Sequence, residues 1–275
     1  MRWASRRWLA IEQSKVADDP PFVQPDSNPR GGMVGRMATE VAPGIHRLGN
    51  DIVNFYLVED GDGLTLVDAG VPGFRAQLDE VLGGRRVDAV LLTHGHTDHV
   101  GVAERVRQAG ATVYVHDGDA AMVRDGVEQK PEGSFPRYLR HRATWRLLGL
   151  AIRSGGMRRP KIAEVTTFAG DIVLDVPGHP HAIHTPGHSD GHVVFHFPDR
   201  GALLAGDAVC TWNPLTGRPG PQIMSSAFSV SNADAIASLA RLEGIEAGVV
   251  LPGHGDPWAD GVPALVARAR EAGPS

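Results

Sequence analysis

The stretch LLTHGHTDHVG, residues 91–101, places the strongest constraint on how this chain folds. Within six residues after an apolar run it carries three histidines and an aspartate: His94, His96, Asp98 and His99. If the chain stays extended at the start of this stretch, His94 and His96 point to the same side, because side chains two residues apart share one face of a strand. Asp98 and His99 then face another direction as the chain turns into a helix. An exposed polar loop is one interpretation, and a site for two adjacent metal ions is the other.

Three later points in the sequence repeat one pattern, in which an apolar strand candidate ends in a polar residue beside glycine. They are His188 in HTPGHSDGH, Asp207 in LLAGDAV and His254 in VLPGHGDPW. The glycines and prolines end each strand and let the backbone come close enough for a short side chain to reach a metal. Nitrogen and oxygen ligands without thiolate fit Zn²⁺, and Fe²⁺ and Mn²⁺ accept such ligands as well. The pattern predicts a metal centre built from several strand ends.

Strand candidates alternate with helical patterns from residue 41 onward. GIHRLGN, VNFYLVED and GLTLVDAG predict a strand meander, FRAQLDEVLGG a helix, and VDAVLLT an apolar strand that is buried on both faces. The same rhythm returns between DIVLDV, which starts at residue 171, and the closing helix VPALVARAREAG. This repetition predicts an α/β (α+β) protein: a four-layer αββα sandwich, with two mixed sheets packed face to face between outer helices.

Composition narrows the organisation of the chain and its partners. Residues 1–38, rich in Pro, Gly, Asp and Ser from residue 16, predict a disordered or loosely attached tail before a domain at residues 39–275. A formal net charge of −5 argues against a general nucleic-acid binder, and no apolar run has the length of about 18 residues that a membrane helix needs. The single cysteine, Cys210, fits a reducing compartment. We expect a cytoplasmic protein with a small-molecule substrate and neither a nucleic-acid nor a membrane partner.

Residues 131–163 separate the two halves and predict a helical insertion. Apolar residues in this segment are spaced to share one helical face: Tyr138, Trp145, Leu148 and Ile152. The segment carries one acid, Glu132, against eight basic residues: Arg137, Arg140, Arg142, Arg146, Arg153, Arg158, Arg159 and Lys161. A surface helix that covers the core is one interpretation. A lid or a homodimer element whose arginines meet an anionic substrate group is the other.

The ordered set of motifs resembles the metallo-β-lactamase fold superfamily of dinuclear metallohydrolases. The H-x-H-x-D-H run, a later Gly-His, a Gly-Asp and a final Gly-His follow LVDAG in the order of that family, over about residues 41–260. The resemblance implies the αββα sandwich with a metal site at the edge between the sheets. It implies two Zn²⁺ ions per chain, the first held by His94, His96 and His188 and the second by Asp98, His99 and His254. Asp207 would bridge the two ions.

The resemblance also implies a reaction. In such a zinc-dependent metallohydrolase, a hydroxide bound between the two metals attacks the carbonyl of a small ester, thioester or lactone, because coordination lowers the pKa of water to about 7. Asp98 is placed to help move a proton to the leaving group as well as to bind metal. Asp68 of LVDAG and His192 are expected to orient metal ligands from behind. The segment CTWNPLTGRPGPQIMSSAF after Asp207 is predicted to be a long Gly- and Pro-rich loop that lines the substrate pocket, with Trp212 and Arg218 expected to contact the substrate.

Several branches of the superfamily remain open. The match is more similar to the glyoxalase II, lactonase and nuclease branches, whose metals share an aspartate like Asp207, than to the β-lactamases, which have cysteine or serine there. Hydrolysis of β-lactams is therefore a minor alternative. Cys210 stands where quorum-signal lactonases have a tyrosine, and the sequence after His254 lacks the basic region of glyoxalase II. A non-hydrolytic, iron-dependent sulfur dioxygenase, which needs only residues like His94, His188 and Asp207, is the other alternative.

Overall fold

Two mixed sheets dominate the computed structural model, which describes residues 38–157 and 160–275. Over these residues the first sheet contains seven strands, which lie side by side in chain order: β1 Thr39–Ala42, β2 Ile45–Gly49, β3 Asn54–Asp60, β4 Gly63–Val67, β5 Ala89–Leu91, β6 Thr112–His116 and β7 Thr166–Phe168. Strands β1 to β4 pair antiparallel, and β4 to β7 pair parallel. Residues 1–37 of the predicted tail lie outside the described residues.

The second sheet is formed by five strands of the described chain: β8 Ile172–Val173, β9 His181–His184, β10 Val193–Phe197, β11 Ala202–Gly206 and β14 Val249–Pro252. Their spatial order is β14-β11-β10-β9-β8, and only the β14/β11 pair is parallel. A separate two-stranded ribbon pairs β12 Cys210–Trp212 with β13 Pro219–Gln222. The sequence pattern predicted a long loop in place of this ribbon.

Helices cover the outer faces of both sheets in the described chain. The first sheet packs against α1 Arg75–Leu82, α2 Ala103–Gln108 and α3 Asp117–Asp125, and the second against α5 Asn232–Ser238 and α6 Val262–Ala272. Helix α4 Arg142–Arg153 instead packs through Leu147 against the cluster that contains Tyr138 and Leu215. Helix α1 ends where Gly83 adopts a left-handed conformation with φ of 56°, which glycine reaches without steric cost. Helix α5 begins after Ser231, whose hydroxyl accepts a hydrogen bond from the amide of Asp234.

Strand alternation divides the apolar side chains among three cores. Leu57 and Leu66 face outward from the first sheet into a core that includes Leu78 of α1. Their strand neighbours face inward into a core between the two sheets, formed in part by Val58, Val67, Phe195 and Leu204. On the far side, the second sheet packs against α5 and α6, with contacts from Leu203, Val250, Ala235 and Leu265. These layers confirm the predicted αββα sandwich, because successive strand residues point to opposite faces.

The predicted insertion at residues 131–163 contains a short 3₁₀ turn, Phe135–Tyr138, followed by α4. Tyr138 is buried with Leu215 and Ala227, whereas Trp145 and Ile152 of α4 are 59% and 69% exposed. Tyr138 thus belongs to a different helical turn from the other apolar residues of the pattern. In the described part of the chain no helix has the length and apolar character to cross a membrane.

The ends of the parallel strands lie at one edge of the sandwich. Strand β5 leads into the histidine-rich stretch, and β11 and β14 lead to Asp207 and His254. Two main-chain hydrogen bonds join the sheets here, from Val193 N to Thr93 O and from Asn54 N to Gly253 O, each 2.8 Å long. Carboxyl ends of parallel strands meet on the same side of a sheet, so this edge collects residues that are distant in sequence.

Candidate metal centre

Three histidines form the first part of the site, which we call the histidine group: His94, His96 and His188. The distance from His94 Nε2 to His96 Nδ1 is 3.1 Å, from His96 Nδ1 to His188 Nε2 it is 2.9 Å, and from His188 Nε2 to His94 Nε2 it is 3.1 Å. Nitrogens that bind one tetrahedral Zn²⁺ at about 2.0–2.1 Å lie roughly 3.3 Å from one another. This triangle therefore has nearly the size that one bound cation requires.

A second group lies beside the first and is called the acidic group: Asp98, His99 and His254. Asp98 Oδ2 is 3.5 Å from His254 Nε2 and 3.9 Å from His99 Nε2. Both histidines are buried, whereas the side chain of Asp98 keeps 26% exposure. The site therefore opens to solvent on the side of Asp98.

Asp207 stands between the two groups. Its Oδ2 lies 3.4 Å from His188 Nε2 and 3.3 Å from His254 Nε2, and its Oδ1 lies 3.6 Å from His99 Nε2. These distances place one carboxylate within reach of cations held by either group. The structure thus brings together all seven side chains that the sequence pattern predicted as metal ligands.

Two buried atoms at the centre of this cluster have no hydrogen-bond partner among the described residues: His99 Nε2 and Asp207 Oδ1. A buried polar atom without a partner costs about 1–3 kcal/mol, so native proteins rarely leave one unpaired. Both atoms are of the types that bind Zn²⁺. The residues present therefore fit the pair of divalent metal ions that the resemblance implies.

Burial sets the protonation of the histidine group. It lowers the pKa of His94 and His188 well below the ordinary value for histidine, and the neighbouring histidines add to this effect for both. Burial also lowers the pKa of His96, against the opposing effect of Asp98. Neutral imidazoles offer the lone pair that a metal needs.

Carboxylates reverse this outcome in the acidic group. Burial alone lowers the pKa of His99, but Asp207, Asp68 and Asp98 outweigh it and raise the pKa to about 10. The pKa of His254 is raised against burial by Asp207, to which it is close. Burial opposes ionisation of Asp207, yet His254 and His99 hold its pKa well below the usual range.

Outer partners fix the direction of several ligands. Asp68 Oδ2 is 2.8 Å from His99 Nδ1, so the opposite nitrogen of that ring faces the site, while Asp68 Oδ1 accepts from the amide of Thr93 at 2.8 Å. His192 Nε2 accepts a 3.0 Å hydrogen bond from the amide of Asp207. Because burial lowers the pKa of His192 to about 4, the ring is neutral and can accept this bond. Both residues thus contact ligands from behind.

Asp119 is a further residue of the site that the sequence pattern did not identify. It lies fully buried in the first turn of α3, where Oδ2 accepts from the amide of Gly95 at 2.8 Å and from Ser189 Oγ at 2.7 Å. Its Oδ1 accepts from the amide of Gly191 at 2.8 Å. Asp119 therefore joins the loop of His94 and His96 to the loop of His188. An acidic residue at the start of a helix has an ordinary explanation, so nothing local marked it.

The two residues predicted to contact substrate lie in different surroundings. Trp212 follows Thr211, whose amide donates to the carbonyl of His254 at 3.1 Å, and the guanidinium carbon of Arg146 lies 5.9 Å from the centre of the Trp212 ring. Arg218 is exposed, and its guanidinium donates to the carbonyl of Ala272 at the end of α6. Arg218 thus binds a helix end. Cys210 is fully buried, and burial raises the pKa of its thiol well above the usual range, so the thiol stays neutral.

Several known proteins are similar to this chain in sequence and in fold. A family profile described as the metallo-beta-lactamase superfamily matches residues 48–254. The probable metallo-hydrolase YflN of Bacillus subtilis is 27% identical over 79% of this chain and 86% of its own, and the uncharacterized Rv2581c of Mycobacterium tuberculosis is 30% identical over 74% and 86%. The crystal structure of the metallo-beta-lactamase family protein TTHA1429 from Thermus thermophilus superposes with a TM-score of 0.59 at 28% identity, over 83% of this chain and 78% of that one.

Proposed function

The chain belongs to the metallo-beta-lactamase superfamily, and from this premise we propose that it is a dinuclear zinc hydrolase that cleaves a small ester, thioester or lactone. One observation carries the proposal: Asp207 Oδ2 lies 3.3–3.4 Å from a histidine of each metal-binding group. A carboxylate in that position suits two cations that act on one substrate atom. Relatives named probable metallo-hydrolases support the same class of reaction.

Different residues of the site would bind the two cations and orient the ligands. The histidine group would hold one cation, the acidic group the other, and Asp207 both. When bound, two divalent cations would supply a water of lowered pKa and a Lewis acid for a carbonyl. Asp68 and His192 would keep the ligand atoms of His99 and Asp207 directed inward, because each fixes the far side of its partner by a hydrogen bond.

We assign Asp98 a second task, the transfer of a proton to the leaving group. Its side chain is 26% exposed, whereas that of Asp207 is 2% exposed, so Asp98 is the carboxylate on the side where substrate arrives. A general acid or base must lie within hydrogen-bond reach of the atom that it serves. An Asp98→Asn variant that retains both metals should therefore lose turnover more than it loses substrate binding.

The test combines metal analysis with a substrate panel. We expect the purified protein to contain about two zinc ions per chain and to hydrolyse chromogenic esters, thioesters or lactones. His96→Ala and Asp207→Ala should abolish hydrolysis in folded protein, while Asp256→Asn, which removes an exposed carboxylate bonded to Arg47, should not.

Two results would contradict the proposal. Folded, zinc-loaded protein that cleaves none of the panel would exclude a hydrolase of these substrates. About one iron and no zinc, with oxidation of a sulfur compound in place of hydrolysis, would identify the dioxygenase alternative instead.

A further inference from the structure

A second cluster of polar side chains converges on Ser275, away from the metal ligands. Arg137 Nη2 donates to the main-chain oxygen of Ser275 at 3.2 Å, and Tyr138 Oη donates to the same oxygen. Asn213 Nδ2 donates to Ser275 Oγ at 2.9 Å, and Ser225 Oγ lies 2.8 Å from that hydroxyl. Three side chains thus donate to two adjacent oxygens of Ser275, while Ser225 Oγ, which donates to Asn213 Oδ1, accepts from the Ser275 hydroxyl.

Four of the side chains around Ser275 are buried, and Arg137 closes the cluster from the exposed side. Tyr138, Asn213, Ser225 and Ser226 are 0–4% exposed. Ser226 Oγ accepts from Arg137 and lies 3.2 Å from Tyr138 Oη, and the Arg137 guanidinium carbon lies 4.8 Å from the centre of the Tyr138 ring. Among the described residues that contact Ser275, one carries positive charge and none carries negative charge. We name Arg137, Tyr138, Asn213, Ser225 and Ser226 the polar pocket.

Both walls of the polar pocket continue into loops that carry metal ligands. On one side Asn213 lies two residues after Thr211, whose amide donates to the carbonyl of His254 at 3.1 Å. On the other side a turn, closed by a 2.8 Å hydrogen bond from Phe228 N to Ser225 O, leads to Ser229. Ser229 Oγ is 3.5 Å from His188 Nδ1. The pocket is therefore linked through short stretches of main chain to residues that contact His254 and His188.

We propose that the polar pocket is a carboxylate-binding subsite of the active centre, in which the main-chain oxygen and hydroxyl of Ser275 take the place of two carboxylate oxygens. The inference rests on the proposed function and narrows its substrate to an ester, thioester or lactone that carries a free carboxylate. One arginine with neutral donors matches a single negative charge, and donors at two adjacent positions match a planar carboxylate. Substrate would displace Ser275 from the pocket.

A pair of esters tests the charge preference in zinc-loaded protein. 4-Nitrophenyl hemisuccinate carries the carboxylate, and 4-nitrophenyl valerate has similar length without it. Arg137→Gln should lower kcat/KM for the hemisuccinate about tenfold or more and leave the valerate within about twofold, because only the charged ester loses a charge-assisted bond. Arg140→Gln, which removes a nearby exposed arginine, is the matched control and should change neither value.

Tyr138→Phe provides a second variant that keeps the ring and removes only the hydroxyl. It should lower kcat/KM for the hemisuccinate in the same direction by a smaller factor. Equal losses on both esters, or no loss with either variant, would overturn the subsite.

A binding experiment does not depend on hydrolysis. Calorimetric titration with succinate should show tighter binding to zinc-loaded chain ended after Gly273 than to the full chain, because Ser275 no longer competes, and Arg137→Gln should weaken it. Equal affinity for the two chain lengths would overturn the proposal. If succinate binding depends on Arg137 but no ester is cleaved, the subsite is supported and the proposed hydrolase function is contradicted. If both esters are cleaved and Arg137→Gln has no effect, the hydrolase is supported and the subsite is contradicted.

Discussion

The histidine group and the acidic group lie side by side, yet their histidines differ in protonation. His94, His96 and His188 all have a lowered pKa, first of all because they are buried. His99 and His254 are equally buried but lie close to carboxylates, and the pKa of His99 rises to about 10. In the metal-free protein at pH 7 the histidines of the first group are neutral, whereas His99 of the second group carries a proton.

This difference teaches that burial alone does not decide how a metal ligand is prepared. A cation that enters the histidine group has no proton to displace, whereas one that enters the acidic group must displace at least the proton on His99. Asp207 connects the two groups. Substitutions in one group, or at Asp207 between them, therefore test this difference when zinc binding by both groups is measured.

The largest effect is expected for Asp207→Asn. The variant removes the charge that both groups share, so zinc affinity should fall in both, and hydrolysis should fall by more than the roughly 100-fold that loss of an outer partner reaches. Zinc retained after dialysis against a chelator measures the first quantity, and kcat/KM the second. Loss of only one zinc ion would show that Asp207 serves one group alone.

Substitutions of Asp68 and of Asp119 should each weaken zinc binding by a different group. Asp68→Asn should weaken zinc binding by the acidic group about 10–100-fold, because His99 loses its 2.8 Å carboxylate partner, and should spare the histidine group. Asp119→Asn should do the opposite, because it disturbs the bonds to Gly95 and Ser189. Chelator competition on the two variants measures both affinities. If both variants lost zinc affinity at the same group, this assignment would be wrong.

The pH dependence of zinc binding should differ between the groups. A raised pKa means that His99 keeps its proton below about pH 10, so affinity of the acidic group should rise about tenfold per pH unit between pH 7 and 9. The histidine group, with lowered pKa values, should show no such rise over this interval. Competition with a chelator of known pH dependence at pH 7, 8 and 9 is the measurement. Parallel curves for the two ions would refute the difference in protonation.

The smallest effect concerns the stability of the metal-free protein. The folded-state pKa of His192 is about 4, below the ordinary value of 6.5, so the unfolded chain binds one more proton between these values. The free energy of unfolding should therefore fall as pH drops from 6.5 to 4, with a share of up to about 1.4 kcal/mol per pH unit from His192. In His192→Asn this dependence should be shallower. Urea unfolding at pH 6.5, 5.5 and 4.5 compares the variant with the parent and with the exposed control His181→Asn; identical slopes would reject the assignment.

The sequence predicted those features of the site whose residues lie in short, recognisable motifs. His94, His96, Asp98 and His99 stand in one motif, and apolar runs that end in Gly-flanked polar residues marked the other ligands. Strand alternation likewise predicted the layers, because a strand that faces two cores is apolar throughout, as β5 is. Asp68 was marked by LVDAG, one of the motifs that carry the family resemblance; it directly follows β4, and the pairing of Val67 with Leu91 brings it to the histidine-rich stretch.

Other features depend on contacts that no local pattern reveals. Asp119 acts through the main chain of Gly95 and Gly191, and main-chain partners leave no trace in residue identity. Arg218 was predicted at the substrate because it follows Asp207 in a loop, but the β12–β13 ribbon turns its side chain toward α6. The regular spacing of Tyr138 and Trp145 continued across His141, where one helical turn ends and α4 begins.

The strands and the loops that follow them have separate tasks. The three cores are made largely of strand and helix side chains, whereas six of the seven metal-binding candidates lie between residues 94–99, at 188 and at 254, outside every strand, and Asp207 directly follows one. The loops around the opening of the metal site, including those that form the polar pocket, can therefore change in sequence while the packing of the sandwich stays the same. A change of substrate in this lineage would require new loops on an inherited scaffold and no new fold.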